Sequence, residues 1–297
     1  MNNDIKINME NLNTLRPTPS RNPWLELVWR LRNNKIAIAG FVVFFILCIS
    51  CVIAPVLTDY SYSAINIDRI LEMPSRDHVL GTDNLGRDLL TRLLYGGRMT
   101  LRIALISTSL AAVVGAVIGL VSGYFGGKAD LAIAPVLDII ASVPVILLAI
   151  IFETILGRGR GYFLYAIAIA SIPQFARLVR ASVMNVMGRE YIEAARALGV
   201  SNVGIILKHV FHNIAPALIV RFTSGFSEAL LTCTVMGYMN ISVNPPTPEW
   251  GVIVFNSKLI FRSHPRIMII SCSVIALCVI SISLFGDGLR DALDPAG

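Results

Sequence analysis

Six apolar runs, each long enough to cross a lipid bilayer, dominate this sequence of 297 residues. A helix needs about 20 residues to cross roughly 30 Å of hydrocarbon, because each residue adds about 1.5 Å. The first, second and sixth runs carry no charge, and the fourth has only 15 uncharged residues before Arg177. We therefore predict an all-α, polytopic membrane protein with six transmembrane helices. The candidate spans are residues 36–57, 103–126, 131–152, 162–180, 215–238 and 267–286.

Composition argues against the main soluble classes. Hydrophobic residues make up 55% of the chain and charged residues 15%, whereas about a quarter of the residues in a soluble domain are charged. The net charge of +6 does not indicate nucleic-acid binding, because the basic residues are dispersed and flank apolar runs. The first run is too long for a cleavable signal peptide. The cysteines all lie in candidate spans without metal-site spacing, so we interpret them as apolar filling. They are Cys48, Cys51, Cys233, Cys272 and Cys278.

The distribution of basic residues predicts the orientation in the membrane. Arg30, Arg32 and Lys35 precede the first span, and no Lys or Arg occurs in residues 36–68. The positive-inside rule then places the N-terminus in the cytoplasm, and six spans return the C-terminus to the same side. A polar stretch around Glu193 falls on that side too. Arg158 and Arg160 do not follow the rule, because they would face outward. Six Arg residues between 69 and 102 would face outward too, in a segment that six acidic residues balance.

Three ionisable residues lie inside the third and fifth candidate spans, where each costs roughly 2.5 to 3.5 kcal/mol. Glu228 is seven residues after Arg221, so the two lie on nearly the same face of one helix. We interpret that face as a wall of a translocation path; snorkelling of Arg221 and a buried hydrogen bond of Glu228 are the alternative. For Asp138, a structural partner such as a nearby Arg is favoured over substrate contact. Small residues in the second span favour close helix packing. They are Gly115, Gly119, Ser122 and Gly123.

The polar stretch from Arg189 to Lys208 predicts two helices that meet at a sharp turn. Ala and Glu favour helix, Gly199 permits the positive φ of a helix end, and Ser201 can cap the helix that follows. The stretch contains the string Glu193-Ala194-Ala195, followed four residues later by Gly199. It resembles the EAA loop of ABC-importer permeases.

Three further strings, in the same order as in that family, resemble its dipeptide, oligopeptide and nickel importers, specifically the C-type permease. They are Gly81 to Asp88, Pro245 to Gly251, and Gly286 to Pro295. The resemblance implies the type I importer permease fold. It divides the chain into a cytoplasmic N-terminal segment of residues 1–29, a permease domain of residues 30–288 with a coupling loop at about 185–215, and a cytoplasmic tail of residues 289–297.

The resemblance also implies a function in which this chain catalyses no bond chemistry. Family members pair with a second permease and are driven by two ATPase subunits that bind ATP and Mg, while an extracytoplasmic binding protein delivers the cargo. We expect a bacterial inner-membrane permease for di- or oligopeptides, with nickel or a metal chelate as the alternative cargo. No cofactor or metal is expected on this chain.

Site residues carried over from the family fall into two groups. The helix after the motif Gly docks into the ATPase, which predicts coupling residues Glu193, Ala194, Ala195, Gly199, Val200, Ser201, Asn202 and Lys208. The strings on the outer side predict residues of an outer gate or a contact with the binding protein, while simple loop rigidity is the alternative. These residues are Asp83, Arg87, Asp88, Glu249 and Trp250.

The chain departs from the family pattern at the end of the second coupling helix. The pattern Ile-x-Leu-Pro is replaced by His209-Val210-Phe211-His212, and we expect Pro216 to supply the break instead. The two histidines lie on one helix face, but no third ligand is nearby, so a metal site is disfavoured.

ATP hydrolysis has no motif in this sequence. Gly126-Gly127-Lys128-Ala129 is the nearest match to a phosphate-binding loop, and it lacks both the first Gly and the hydroxyl residue. An ion-coupled secondary transporter is the remote alternative, but it would need buried carboxylates placed symmetrically in two repeats, and Asp138 and Glu228 are not. A membrane enzyme would need a catalytic constellation that the sequence does not contain.

Overall fold

The computed structural model describes residues 30–157 and 161–293, and within these ranges the chain is built of helices. The predicted N-terminal segment of residues 1–29, Arg158, Arg160 and the last four residues of the predicted tail lie outside the described residues. The helices are α1 (Lys35–Val52), α2 (Leu89–Phe125), α3 (Gly127–Ser142), α4 (Val145–Leu156), α5 (Phe163–Met187), α6 (Glu190–Ala197), α7 (Asn202–Tyr238), α8 (Trp250–Ser257) and α9 (Pro265–Leu293).

Five of these helices are long and apolar enough to cross a membrane: α1, α2, α5, α7 and α9. Helices α3 and α4 meet at an angle of 85°, and they make a sixth candidate span when the bent pair is counted as one. The break lies at Val143 and Pro144, because a proline disfavours the helical conformation of the residue before it, and Val143 is extended. The all-α prediction is therefore confirmed for the described residues, and the six predicted spans are matched when the bent pair is counted as the third span.

The helices do not begin and end where the apolar runs do. Helix α2 begins at Leu89 rather than at 103, and α7 begins at Asn202 rather than at 215. Helix α1 ends at Val52 and a single helical turn, Ala54–Leu57, follows it. Helix α9 continues to Leu293, into the predicted tail. Uncharged length underestimates these helices because their ends carry polar residues, which are buried at the start of α2 but exposed at the start of α7 and at the end of α9.

Helices α2 and α5 form the most extensive helix pair of the bundle. A Cβ atom placed on Gly119 would lie 2.5 Å from the Ala176 carbonyl oxygen, and one on Gly115 would lie 2.6 Å from the Phe175 Cβ. A side chain at either position would force the two helices apart. This confirms the prediction that small residues in the second span permit close packing.

Two regions outside the bundle core carry the motif residues. The elbow, residues 189–210, contains α6 and the start of α7, and it lies beside the last residues of α2. The crown, residues 59–88 and 239–264, joins the opposite ends of the spans and contains α8. Helix α9 ends beside the start of α1, where Gly288 contacts Ala37, so those two helix ends share one side of the bundle.

Candidate functional site: the elbow, the polar stripe and the crown

The elbow has the predicted helix–turn–helix geometry. Helix α6 ends at Ala197, and Gly199 adopts a φ of +78°, in the left-handed region that side chains disfavour. The Ser201 hydroxyl accepts a hydrogen bond from the Gly204 amide at 3.2 Å and so caps the next helix. The sharp turn inferred from Gly199 and Ser201 is therefore present.

The inner face of the elbow is fastened to the membrane helices. Ile192 of α6 and Ile205 of α7 are fully buried, and they pack in one apolar cluster with Val179 and Val183 of α5. Two buried isoleucines, one from each arm, fix the angle of the turn to the bundle. The elbow is thus a rigid projection and not a free loop.

The outer face of the elbow is exposed and partly apolar. Leu198 is 84% exposed, and Val203 and Leu207, one helical turn apart, are 64% and 65% exposed. Sequence reasoning did not select these three side chains, although the spacing of 203 and 207 was a usable signal. Most predicted coupling residues share this exposure, whereas Ala195 is buried. Glu193 forms no ion pair with any of the described residues. The exposed ones are Glu193, Ala194, Gly199, Val200, Ser201, Asn202 and Lys208.

The break expected at Pro216 is wrong. Helix α7 continues from the elbow to Tyr238 with Pro216 inside it, and only a π-helical stretch, Ile206–Val210, interrupts its α-helical pattern. The elbow therefore leads directly into a spanning helix without a second hinge. Within the described residues no group of His, Cys, Asp or Glu side chains could hold a metal ion, and this includes His209 and His212.

Arg221 and Glu228, predicted to share a face of α7, form a two-pronged ion pair. The guanidinium donates to the two Glu228 carboxylate oxygens at 3.1 and 2.9 Å. It also donates to Gln174 of α5 and lies 5.5 Å from the centre of the Phe175 ring. Glu228 remains 54% exposed while Arg221 is 18% exposed. The Arg is thus held in place by α5, and the carboxylate is presented outward.

A second ion pair continues this polar surface. Arg177 of α5 donates to Asp138 of α3 at 2.6 Å, and both side chains are more than half exposed. Asp138 therefore has the Arg partner that the sequence favoured. Because Gln174 and Arg177 are one turn apart on α5, the two pairs form a polar stripe across three helices. The polar stripe consists of Asp138, Arg177, Gln174, Arg221 and Glu228.

A groove beside the polar stripe adds further polar groups. It has a volume of about 330 Å³ and lies between α7 and α9. Glu228, Ser224 and Ser283 line it, together with Asp287 and Arg290 near the end of α9. Charges exposed along spanning helices are costly against lipid, so this face is expected to meet protein or water.

The motif residues of the crown are buried in a network of charges. Asp83 accepts from Arg87 at 2.8 Å and lies 3.3 Å from the Arg92 guanidinium. Asp88 contacts His78 at 2.9 Å and caps α2 through the Thr91 amide. The four charged residues of this set are at most 6% exposed. They fold residues 59–88 against the start of α2.

Glu249 and Trp250 join the second part of the crown to α2. The Glu249 carboxylate accepts from Thr100 at 2.9 Å and from two backbone amides at the start of α8, and the Trp250 indole donates to the Leu93 carbonyl at 2.9 Å. Both side chains are fully buried. Burial raises the pKa of Glu249 to about 7, against the lowering effect of the Gly251 hydrogen bond. Glu249 is therefore an internal cap for α8.

Burial corrects one part of the prediction for the outer strings. The side chains of Asp83, Arg87, Asp88, Glu249 and Trp250 lie inside the chain, so they do not offer a surface to a binding protein. The alternative prediction for these strings was simple loop rigidity, and it is consistent with the buried contacts of these residues. Their part in an outer gate stays a prediction.

Comparison with known proteins decides the family. The family described as binding-protein-dependent transport system inner membrane component matches residues 115–296. The chain belongs to this family. The N-terminal transmembrane domain of oligopeptide transport permease C also matches, at residues 22–74. As a member of a permease family, the chain is a transport component and not an enzyme.

Curated relatives of this permease cover nearly all of it. It is 38% identical to the dipeptide transport system permease protein DppC of Alkalihalophilus pseudofirmus, over 92% of this chain and 90% of that protein. It is 35% identical to the di/tripeptide permease DppC of Pseudomonas aeruginosa, over 94% and 93%. It is 34% identical to the glutathione permease GsiD of Pectobacterium atrosepticum, over 98% and 97%.

A solved structure supports the fold of the permease. The MetNI methionine ABC transporter, in an inward-facing conformation, matches with a TM-score of 0.57 and 21% identity. The match covers 68% of this chain and 96% of that one. It shows that the helix arrangement is that of an ABC transporter permease.

Proposed function

We propose that this permease forms, with a second permease subunit, the translocation path of an ATP-driven importer for di- and oligopeptides. The relatives named above transport dipeptides, di- and tripeptides, or glutathione, which is itself a small peptide. Two ATPase subunits, carrying ATP and Mg, and an extracytoplasmic binding protein complete the assembly. The observation that carries the proposal is a rigid elbow with exposed apolar side chains, fastened to three spanning helices.

The elbow is the proposed contact with the ATPase. Leu198, Val203 and Leu207 project from it into solvent. A cleft on a partner would bury these side chains, and the hydrophobic effect favours such a contact. The buried Ile192 and Ile205 would carry force from that contact into α5 and α7. ATP binding on the partners would then open the bundle outward, and hydrolysis would reset it.

The polar stripe is the proposed wall of the path. Its charged pairs lie on spanning helices, yet they are exposed in the single chain, which is costly unless water or protein covers them. Glu228, Arg221 and Asp138 therefore line the path in this proposal. The groove beside Glu228 would widen the path on the α9 side.

The proposed location is the bacterial cytoplasmic membrane, with the elbow and both termini in the cytoplasm. Arg30, Arg32 and Lys35 precede α1, and the elbow carries Arg189, Arg196 and Lys208. The adjacency of Gly288 and Ala37 supports a common side for the two chain ends.

Reconstitution tests this function. The permease, its partner permease and the ATPases are placed in vesicles with the binding protein, and uptake of a labelled dipeptide is measured. We expect uptake with ATP and Mg, and no uptake from a proton gradient alone. Uptake in ATP-free vesicles that contain only this chain would refute the proposal. Nickel uptake without peptide uptake would show that the cargo is nickel and not a peptide.

A further inference from the structure

Tyr124 links the elbow to α2 by a contact that no family motif indicates. It lies one residue before the end of α2, and its side chain is only 9% exposed. Its hydroxyl donates a hydrogen bond to the Asn202 side-chain oxygen at 2.8 Å. Asn202 is the first residue of α7, so this bond joins the end of one spanning helix to the start of another.

The other arm of the elbow holds the same ring. The guanidinium carbon of Arg196, in α6, lies 5.8 Å from the centre of the Tyr124 ring, within the range of a cation–π contact. Ile192 and Ile205 belong to the apolar cluster that includes Tyr124. Both arms of the turn at Gly199 therefore meet at one side chain of α2.

Helix α2 connects this point to the crown. It has 37 residues, which corresponds to about 55 Å of helix. Near its other end, Thr100 donates to Glu249 and the Leu93 carbonyl accepts from Trp250, each at 2.9 Å. A displacement of Tyr124 along or across the bundle would thus also move the part of the crown that is hydrogen-bonded to α2, at Glu249 and Trp250.

We propose that Tyr124 is the positioning residue through which the elbow moves α2, and with it the crown, as one body. The proposal rests on the proposed coupling function of the elbow. Without the hydroxyl bond the start of α7 can slide against the end of α2, and part of the movement produced by ATP does not reach the crown. The expected defect is a loss of coupling, not a loss of folding or of ATP hydrolysis.

The test measures peptide imported per ATP hydrolysed by the reconstituted complex. Tyr124→Phe keeps the buried ring and the Arg196 contact and removes only the hydroxyl. We expect that ATP hydrolysis continues, and that the ratio of imported dipeptide to hydrolysed ATP falls about two- to ten-fold, the factor that one net hydrogen bond gives. Complex yield after purification reports assembly separately.

Substitutions at Asn202 and Tyr191 isolate the bond. Asn202→Leu removes the acceptor and should lower the ratio as Tyr124→Phe does, whereas Asn202→Asp keeps an acceptor and should retain more of it. In the Tyr124→Phe background, Asn202→Leu should add little. Tyr191→Phe is the matched control, because that hydroxyl bonds Asn213 at 3.3 Å between α6 and α7, and not α2. It should lower the ratio less.

The outcomes separate this inference from the proposed function. If the wild-type complex imports peptide with ATP and Tyr124→Phe has the wild-type ratio, the inference is refuted and the function stands. If Tyr124→Phe does not assemble, the comparison of Asn202→Leu with Asn202→Asp decides, since Asn202 is exposed; equal ratios refute the inference. If the wild-type complex imports nothing with ATP, the function and the inference both fail.

Discussion

The elbow and the crown both contain strings that resemble the family, yet the structure uses them in opposite ways. Most motif residues of the elbow are exposed, and Leu198 and Leu207 project beside them. The charged motif residues of the crown are buried and bond one another or the start of α2. A motif can therefore lie on an exposed surface or in an internal frame, and burial distinguishes the two. This difference can be tested residue by residue.

The largest expected effect is the loss of a buried charge in the crown. Asp83→Asn leaves Arg87 and Arg92 without their shared counter-ion, and breaking a buried pair costs about 3 to 5 kcal/mol. Thermal unfolding of the purified protein in detergent should show a clear loss of stability. The control is Asp77→Asn, whose pair with Arg69 is exposed and contributes less than about 1 kcal/mol. Equal effects of the two substitutions would contradict the buried network.

A charge on the exposed face of the elbow should leave the chain folded but weaken its contact with the ATPase. In Leu207→Asp the new carboxylate would be desolvated at the contact, at a cost of about 2 kcal/mol or roughly 30-fold in affinity. Binding of the ATPase subunits to the purified permease is the measurement. Leu259→Asp is the matched control, because Leu259 is 93% exposed in the crown. The elbow assignment fails if both variants bind equally well.

The turn of the elbow should not tolerate a β-branched residue. Gly199→Val places a side chain at a φ of +78°, a strain of about 1 to 2 kcal/mol, and should reduce ATP-driven uptake about ten-fold in protein that is still inserted. Gly188→Val is the control, since Gly188 has a φ of −80° and room for a side chain. Wild-type uptake by Gly199→Val would show that the hinge assignment is wrong.

The smallest effect is expected in the polar stripe. Asp138→Asn breaks an exposed pair with Arg177, so the loss of thermal stability should stay below about 1 kcal/mol. A loss as large as that of Asp83→Asn would mean that this pair is sealed from water. The stripe would then be a buried interface and not a wall of a water-filled path.

Sequence reasoning found the spans and the turn because each depends on local chemistry. Lipid requires long apolar runs, and a positive φ at Gly199 requires a residue without a side chain. The glycines of α2 were also recognisable, since small residues at helical spacing permit close packing. The seven-residue spacing placed Arg221 and Glu228 on one face of a helix, whereas the ion pair between them was not predicted.

The features that were missed depend on contacts between distant parts of the chain. Helix α2 extends back to Leu89 because the crown covers its polar start, which uncharged length alone does not reveal. Glu249 accepts a hydrogen bond from Thr100, about 150 positions away in the chain, and the residues around Glu249 do not reveal this partner. Pro216 was expected to break a helix, but α7 continues through it. The spacing of Val203 and Leu207 places them on one helix face, but that this face is the exposed one follows only from the burial of Ile205 against the bundle.

Site-specific photo-cross-linking tests the central claim most directly. A photoreactive side chain at position 207 of the elbow is compared with the same group at position 259 of the crown, in the complex assembled with its ATPase subunits. We predict an adduct with an ATPase subunit from position 207 and none from position 259. An adduct from position 259, or none from position 207 in an active complex, would contradict the assignment of the elbow as the contact with the ATPase.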